Sequence, residues 1–201
     1  WNIPQDVTVA AVDDLVAEGA HTGLIAQAAS SADANYNGIP VDSVTAHITD
    51  NDSPGVIVAE SSKSTDVAEG GATDNYSVRL ATQPTAAVTI ALAGGAHATA
   101  NPTVLAFTPA NWNIPQDVTV TAVDDAIAEG PHTATIRHSA ASADPNYNGA
   151  IVQDVTVHIT DNDSPGVAVT ESNGSTDVAE GGATDNYSMR LTSQPTGNVT
   201  V

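Results

Sequence analysis

Between residues 53 and 163 the chain alternates apolar and polar residues with a period of two, in short runs separated by Gly, Pro, Asn and Asp clusters. Successive side chains of a strand point to opposite faces, so this pattern marks half-buried strands bounded by turns. Gln116-Asp-Val-Thr-Val-Thr-Ala-Val and Gln153-Asp-Val-Thr-Val-His-Ile-Thr show it most clearly. The runs predict seven strands, near residues 55–60, 75–80, 87–92, 103–107, 116–123, 133–140 and 153–160, and no helix of consequence. Each run buries one face and wets the other, which calls for two antiparallel sheets packed face to face. The expected fold is all-β, built of immunoglobulin-like β-sandwiches of about seven strands.

The same pattern is written twice. Trp1-Asn-Ile-Pro-Gln-Asp-Val returns at Trp112 and Asp50-Asn-Asp-Ser-Pro-Gly returns at Asp161, both 111 positions later. Roughly 65 of the 90 residue pairs that this spacing aligns are identical, which makes the chain a slice of a tandem array. Residues 1–52 then read as the C-terminal half of a repeat, 53–163 as one complete repeat, and 164–201 as the N-terminal part of the next. Strand-like text at both ends needs paired neighbours for its backbone groups. A longer polypeptide is therefore expected, with neighbouring repeats, or other copies in a filament, as its partners.

Charge narrows the partners. Asp and Glu number 24 against 4 Lys and Arg, a formal net charge of -20, which repels nucleic acid and anionic lipid. Hydrophobic residues at 41% with aromatics at only 3% suit a thin core of Val, Ile, Leu and Ala rather than a disordered chain. With no Cys there is no disulfide framework, so an extracellular form needs another staple. No stretch has the apolar length that crosses a bilayer, and no membrane insertion is expected in this segment.

Several acids sit where a predicted strand stops: Asp124, Asp125 and Glu129 after the fifth, Asp161 and Asp163 after the seventh, and Glu69 of Val67-Ala-Glu-Gly-Gly before the second. Taken singly, each reads as a turn, since Asp and Asn accept local backbone hydrogen bonds. Three acidic clusters in one period, two of them repeated at Asp13, Asp14, Glu18, Asp50 and Asp52, favour convergence on a cation. Hard oxygen ligands without His or Cys at ligand spacing select Ca2+.

Other motifs carry less. Asp144-Pro-Asn-Tyr-Asn-Gly and Asp33-Ala-Asn-Tyr-Asn-Gly match the first half of an EF-hand loop, but the closing Glu and the flanking helices are missing. An Asx-rich turn anchored by Tyr147 is the simpler expectation. Trp112 is expected to pack in the turn entering the fifth strand. The six His form no HExxH or paired spacing and no Gly-x-Ser-x-Gly elbow is present, so catalysis is not expected.

In order along the complete period, Val67-Ala-Glu-Gly-Gly, Val104-Leu-Ala-Phe-Thr-Pro, Val118-Thr-Val-Thr-Ala-Val-Asp-Asp, Glu129-Gly and Val155-Thr-Val-His-Ile-Thr-Asp-Asn-Asp resemble the Calx-beta domain family. The resemblance implies a seven-stranded sandwich with Ca2+ at one pole. Its ligand positions fall on Glu69, Asp124, Asp125, Glu129, Asp161 and Asp163, with a carbonyl from Ile127. Three departures are visible: Asn162 replaces an acid, His132 stands where a further Glu is found, and the Asp-Tyr before the fourth strand is missing, with Asn101 the nearest substitute. One or two ions are expected. The functional expectation is a calcium-stabilised structural repeat of a long extracellular, microbial surface or matrix protein, acting as a spacer or filament segment in adhesion. A calcium-sensing regulatory module and a ligand-binding adhesin domain are the alternatives.

Overall fold

A computed structural model describes residues 1–201. Thirteen strands follow one another: β1 His21–Ile25, β2 Val44–Ile48, β3 Val56–Glu60, β4 Thr65–Ala68, β5 Asp74–Leu80, β6 Val88–Ala93, β7 Ala98–Asn101, β8 Val104–Phe107, β9 Gln116–Ala122, β10 His132–Ser142, β11 Val155–Thr160, β12 Val167–Glu171 and β13 Tyr187–Leu191. β3 to β11 build two sheets, one ordered β4-β11-β10-β6-β8 and the other β3-β5-β9-β7. All pairings are antiparallel except β4 with β11.

The alternation predicted from sequence is what fills the space between the sheets. β9 buries Val118, Val120 and Ala122, β11 buries Val155, Val157 and Ile159, and β6 buries Val88, Ile90 and Leu92. A cluster of 19 buried residues results, all lying between Val67 and Ile159, with Trp112 packed at its edge. The two buried tyrosines, Tyr76 and Tyr147, are tied down by their hydroxyls. Tyr76 places its hydroxyl 2.8 Å from His138 Nε2 with the rings edge-on, and burial raises its pKa while lowering that of His138.

The seven-strand expectation needs correcting: residues 53–163 hold nine strands. All seven predicted runs are present, and two short strands join them. β4 arises because the chain changes sheets after β3 through the turn Ser61–Lys63, where Ser62 and Lys63 adopt φ of 50° and 69°. Asp74 staples that crossover, accepting from Ser61 Oγ at 2.6 Å and from the Asp66 N–H at 2.9 Å. β7 is Ala98-Thr-Ala-Asn, whose buried side chains are only Ala98 and Ala100. Neither strand carries the β-branched or aromatic run that marks a strand in sequence.

The flanking strands reproduce local pieces of the sandwich. β1 and β2 pair in the register of β10 and β11, His21 opposite Ile48 as His132 is opposite Ile159. β12 and β13 pair as β3 and β5 do, Val167 opposite Leu191 as Val56 is opposite Leu80. Two backbone hydrogen bonds join successive copies: Gln83 N–H to Leu15 O at 2.7 Å, and Gln194 N–H to Ala126 O at 2.6 Å. The first joint has a further clasp, Asn146 Nδ2 donating to Ala17 O at 2.7 Å.

Candidate metal site at the acidic pole

β9 and β11 both end, and β10 begins, at one pole of the sandwich, so the acids that follow or precede them meet there. Glu69 is delivered by β4: its N–H donates to Thr160 O at 3.0 Å, which seats it against the end of β11. Next to it Gly70 has a φ of +59°, and a Cβ there would come within 3.0 Å of Asn162 Nδ2 and 3.4 Å of the Asp124 carboxylate. Only glycine meets both demands at low cost, one for a left-handed backbone and one for close approach. That explains Gly70 at this turn.

Asp161 organises the loop between β9 and β10. Its Oδ2 accepts the N–H groups of Glu129 and Gly130, both at 2.6 Å, and its Oδ1 accepts that of Asp163 at 2.8 Å. These bonds favour the carboxylate and hold the Asp161 pKa below its ordinary value, the Asp163 and Gly130 N–H groups contributing most. Asp125 closes its own turn by accepting the Ile127 N–H at 2.7 Å. Asn162, a neutral residue where the resemblance implies an acid, is a strut: its Nδ2 donates to Glu69 O at 3.0 Å and to Asp124 Oδ1 at 2.9 Å.

Two acids remain unsatisfied. Glu69 Oε2 and Asp163 Oδ2 are buried without a hydrogen-bond partner, although Glu69 is only 3% exposed. Burial raises the pKa of both, and the negative charge of Asp161 adds to it; Asp125 and Asp124 push in the same direction. Ligand oxygens of Glu69, Asp161 and Asp163 lie within 4.8 Å of one another. Two oxygens bound to one Ca2+ at 2.3–2.6 Å are separated by at most about 5 Å. The donor set is all hard oxygen, it is anionic, and it holds orphaned buried lone pairs, so it fits a cation of the Ca2+ class.

Not every residue expected at this site points into it. Glu129 contributes its backbone N–H to Asp161, but its Oε2 turns toward His97 Nδ1 at 3.4 Å and His132 Nε2 at 3.5 Å. Asn101 sits opposite Thr119 part-way along β9, whereas Ala98 sits opposite Ala122 at the strand's end. The residue that the turn before β7 brings to the pole is instead His97, whose carbonyl accepts the Val123 N–H at 2.9 Å. Sequence spacing gave no hint of His97, because it lies far along the chain from Glu129 and His132. The turn Asp144–Gly149 is closed by its own backbone and side chains. Asp144 accepts from Thr85 N–H at 2.7 Å and Asn146 N–H at 2.9 Å, and the buried Tyr147 hydroxyl donates to Thr82 O at 2.8 Å.

No family model matches the chain and no curated protein matches it. Among solved structures it is similar to WR4, a C. elegans MSP family member, at 8% identity and a TM-score of 0.33 over 49% of this chain and 91% of that one. It is also similar to domains 4 and 5 of the S-layer protein SbsC, at 17% identity and a TM-score of 0.28 over 59% of this chain and 58% of that one. Domains 1–6 of the surface layer protein SbsC give 15% identity and a TM-score of 0.32, with 75% of this chain covering 23% of that one. The chain thus spans little more than half, and under a quarter, of the two SbsC chains. Likenesses of this size carry no functional weight, and the all-β sandwich is read from the strand pairing itself.

The first copy carries part of the same pole. Asp50 Oδ2 accepts the N–H groups of Glu18 and Gly19, both at 2.7 Å, Asp52 N–H donates to Asp50 Oδ1 at 3.0 Å, and Asn51 Nδ2 reaches Asp13 Oδ1 at 3.0 Å. Asp14 accepts the Val16 N–H at 2.8 Å as Asp125 does that of Ile127. Burial and the charges of Asp50, Asp13 and Asp14 raise the Asp52 pKa. The position that corresponds to Glu69 in this copy lies before Trp1.

Proposed function

We propose that the chain is a Calx-beta-like, calcium-stabilised structural repeat of a long extracellular surface or matrix protein, acting as a spacer whose joints are stiffened by the bound ion. One observation carries the reading: a single loop serves both the acidic pole and the joint. Residues 124–129 contribute Asp124 and Asp125 to the pole, while Ala126 O between them and Glu129 accepts the Gln194 N–H of the following copy at 2.6 Å. The preceding joint repeats this through Leu15 O and Gln83 N–H, and Asn146 adds its hold on Ala17 O.

Glu69, Asp161 and Asp163 would hold the ion, with Asp124 and Asp125 completing its charge balance. When bound, Ca2+ neutralises the repulsion among these carboxylates and supplies the partner that Glu69 Oε2 and Asp163 Oδ2 lack. Because the pole is assembled only by the folded sheets, binding stabilises the fold. The same binding fixes the loop on which the next copy leans, and Pro165 limits the backbone at the exit. A head-to-tail series of such joints favours a rod over a flexible string.

Small-angle scattering from the 201-residue chain tests this. In Ca2+ the maximum dimension is expected to be long and sharply defined, and in EDTA shorter and more broadly distributed. Asn146→Ala is expected to loosen the first joint even in Ca2+. Scattering identical in Ca2+ and EDTA overturns the stiffened-spacer reading.

A further inference from the structure

We propose that His97, Glu129 and His132 form a second metal site, for a borderline transition metal of the Zn2+ class, beside the carboxylate pole and distinct from it. Three elements converge to make it: the turn entering β7 brings His97, the loop after β9 brings Glu129, and the first residue of β10 is His132. One carboxylate oxygen, Glu129 Oε2, lies 3.4 Å from His97 Nδ1 and 3.5 Å from His132 Nε2. The three ligand atoms all lie within 4.8 Å of one another.

Those separations are longer than a direct hydrogen bond and match the spacing of two ligands on one ion. A charge-assisted hydrogen bond from an imidazolium to a carboxylate closes to about 2.7–2.9 Å. Two ligands on a tetrahedral ion with bonds of about 2.0–2.1 Å stand about 3.3 Å apart, close to what is found here. The imidazole of His132 is also pre-set as a ligand. Its Nδ1 lies 2.9 Å from Gly130 O, which can only accept, so Nδ1 carries a proton, and in the neutral ring the lone pair is on Nε2, 3.5 Å from Glu129 Oε2. Metal-binding histidines characteristically hand their other ring N–H to such an acceptor. Nε2 is itself buried and has no hydrogen-bond partner.

The rings of His97 and His132 meet edge-on, centroids 5.1 Å apart at 73°, which limits the rotation of both. Three protein ligands leave one tetrahedral position, on the partly exposed His97 side, for water. Imidazole nitrogens suit Zn2+ and its neighbours rather than Ca2+, so the two adjoining sites would sort ions by ligand softness. Glu18 and His21 repeat two of the three ligands, with His21 Nε2 3.5 Å from Glu18 Oε2 and Nδ1 2.9 Å from Gly19 O. The three-ligand cluster occurs once in these 201 residues.

Co2+ is the probe, added to the whole chain with Ca2+ in excess so that hard-oxygen sites are filled, and followed by visible absorption and by calorimetric competition with Zn2+. The expected result is one equivalent of Co2+ with the intense bands of a four-coordinate site, displaced by Zn2+. Affinity falls about tenfold or more in His97→Ala and in His132→Ala. His97 is partly exposed in a turn, so its variant keeps the fold, which circular dichroism checks. Glu69→Gln leaves the Co2+ site intact, which separates this proposal from the calcium reading. No saturable Co2+ binding, or binding unchanged by loss of both histidines, overturns it.

Discussion

Residues 5–11 and 116–122 are nearly the same text with different outcomes. The second stretch is β9, with Val118 and Val120 fully buried between sheets; the first forms no strand, and its Val7 and Val9 are 82% and 50% exposed. Strand propensity and alternation are equal in the two, so the difference is tertiary: β9 lies between β5 and β7 and faces a second sheet, whereas the positions that would pair with residues 5–11 in the same way lie before Trp1. The turns behave otherwise. Asp33 and Asp144 build the same Asx turn, each accepting the N–H two residues on at 2.9 Å, and Asp50 and Asp161 each cap two N–H groups of the preceding loop. Local geometry is thus written into each copy, whereas burial, and with it the orphaned carboxylates, needs the assembled sheets.

The largest expected effect breaks that comparison in the core. Val118→Ala should destabilise the sandwich by about 2–3 kcal/mol, from lost transfer energy plus the cavity left behind. Val7→Ala, at the same place in the repeat, should stay within about 0.5 kcal/mol. Urea unfolding of both variants is the check, and equal effects would mean that the copies are packed alike.

Next comes the anchor of the Asx turn. Tyr147→Phe removes a buried hydroxyl that holds the Thr82 N–H, Oγ1 and carbonyl at 3.2, 2.7 and 2.8 Å. Leaving those groups unpaired is expected to cost about 1–3 kcal/mol. Tyr36→Phe, at the exposed equivalent, should change nothing measurable by the same unfolding curves.

A smaller effect, read as a pH profile in EDTA, concerns the pole itself. Glu69 and Asp163 hold their protons more tightly folded than unfolded, so the ion-free fold gains stability as pH falls from neutral toward the ordinary carboxylate values of 4.5 and 3.8. Asp161 and Asp144 are held below 3.8. For Asp144 burial works the other way, but the N–H groups of Thr85 and Asn146 outweigh it. Their contribution is present above pH 3.8 and is lost as pH falls through the lower, folded values. Melting temperature in EDTA should therefore peak between neutrality and pH 4. Glu69→Gln should flatten the neutral side of that peak and raise melting at pH 7. A profile that Glu69→Gln leaves unchanged would show that its buried carboxylate is not strained.

Legibility in the sequence followed the same division. The seven strands were readable because apolar and polar residues alternate along most of them and because β8, though only four residues long, carries Val, Leu and Phe; β4 and β7, equally short, were not, with a sheet change before one and Ala as the buried residue of the other. The meeting of Glu69 with Asp161 and Asp163 was foreseeable, since each lies at a strand end. The turning of Glu129 toward histidines was not, because His97 reaches the pole through the β6–β7 connection, and no spacing encodes that. Asn162, read as a lost acid, proves to be the donor that ties Glu69 O to Asp124.

At issue is whether the pole of residues 53–163, with its Glu69 arm, is a cation site; the Asp50 pole, whose Glu69-equivalent position lies before Trp1, is the internal control in the 201-residue chain. Calorimetric melting of the chain in Ca2+ and in EDTA, with Asp161→Ala and Asp50→Ala beside it, tests that most directly. The expected result is a rise in melting temperature that saturates at roughly 0.1–1 mM Ca2+, the range of extracellular modules, is abolished by Asp161→Ala and survives Asp50→Ala. Melting indifferent to Ca2+, or a response that the two variants change equally, would contradict it.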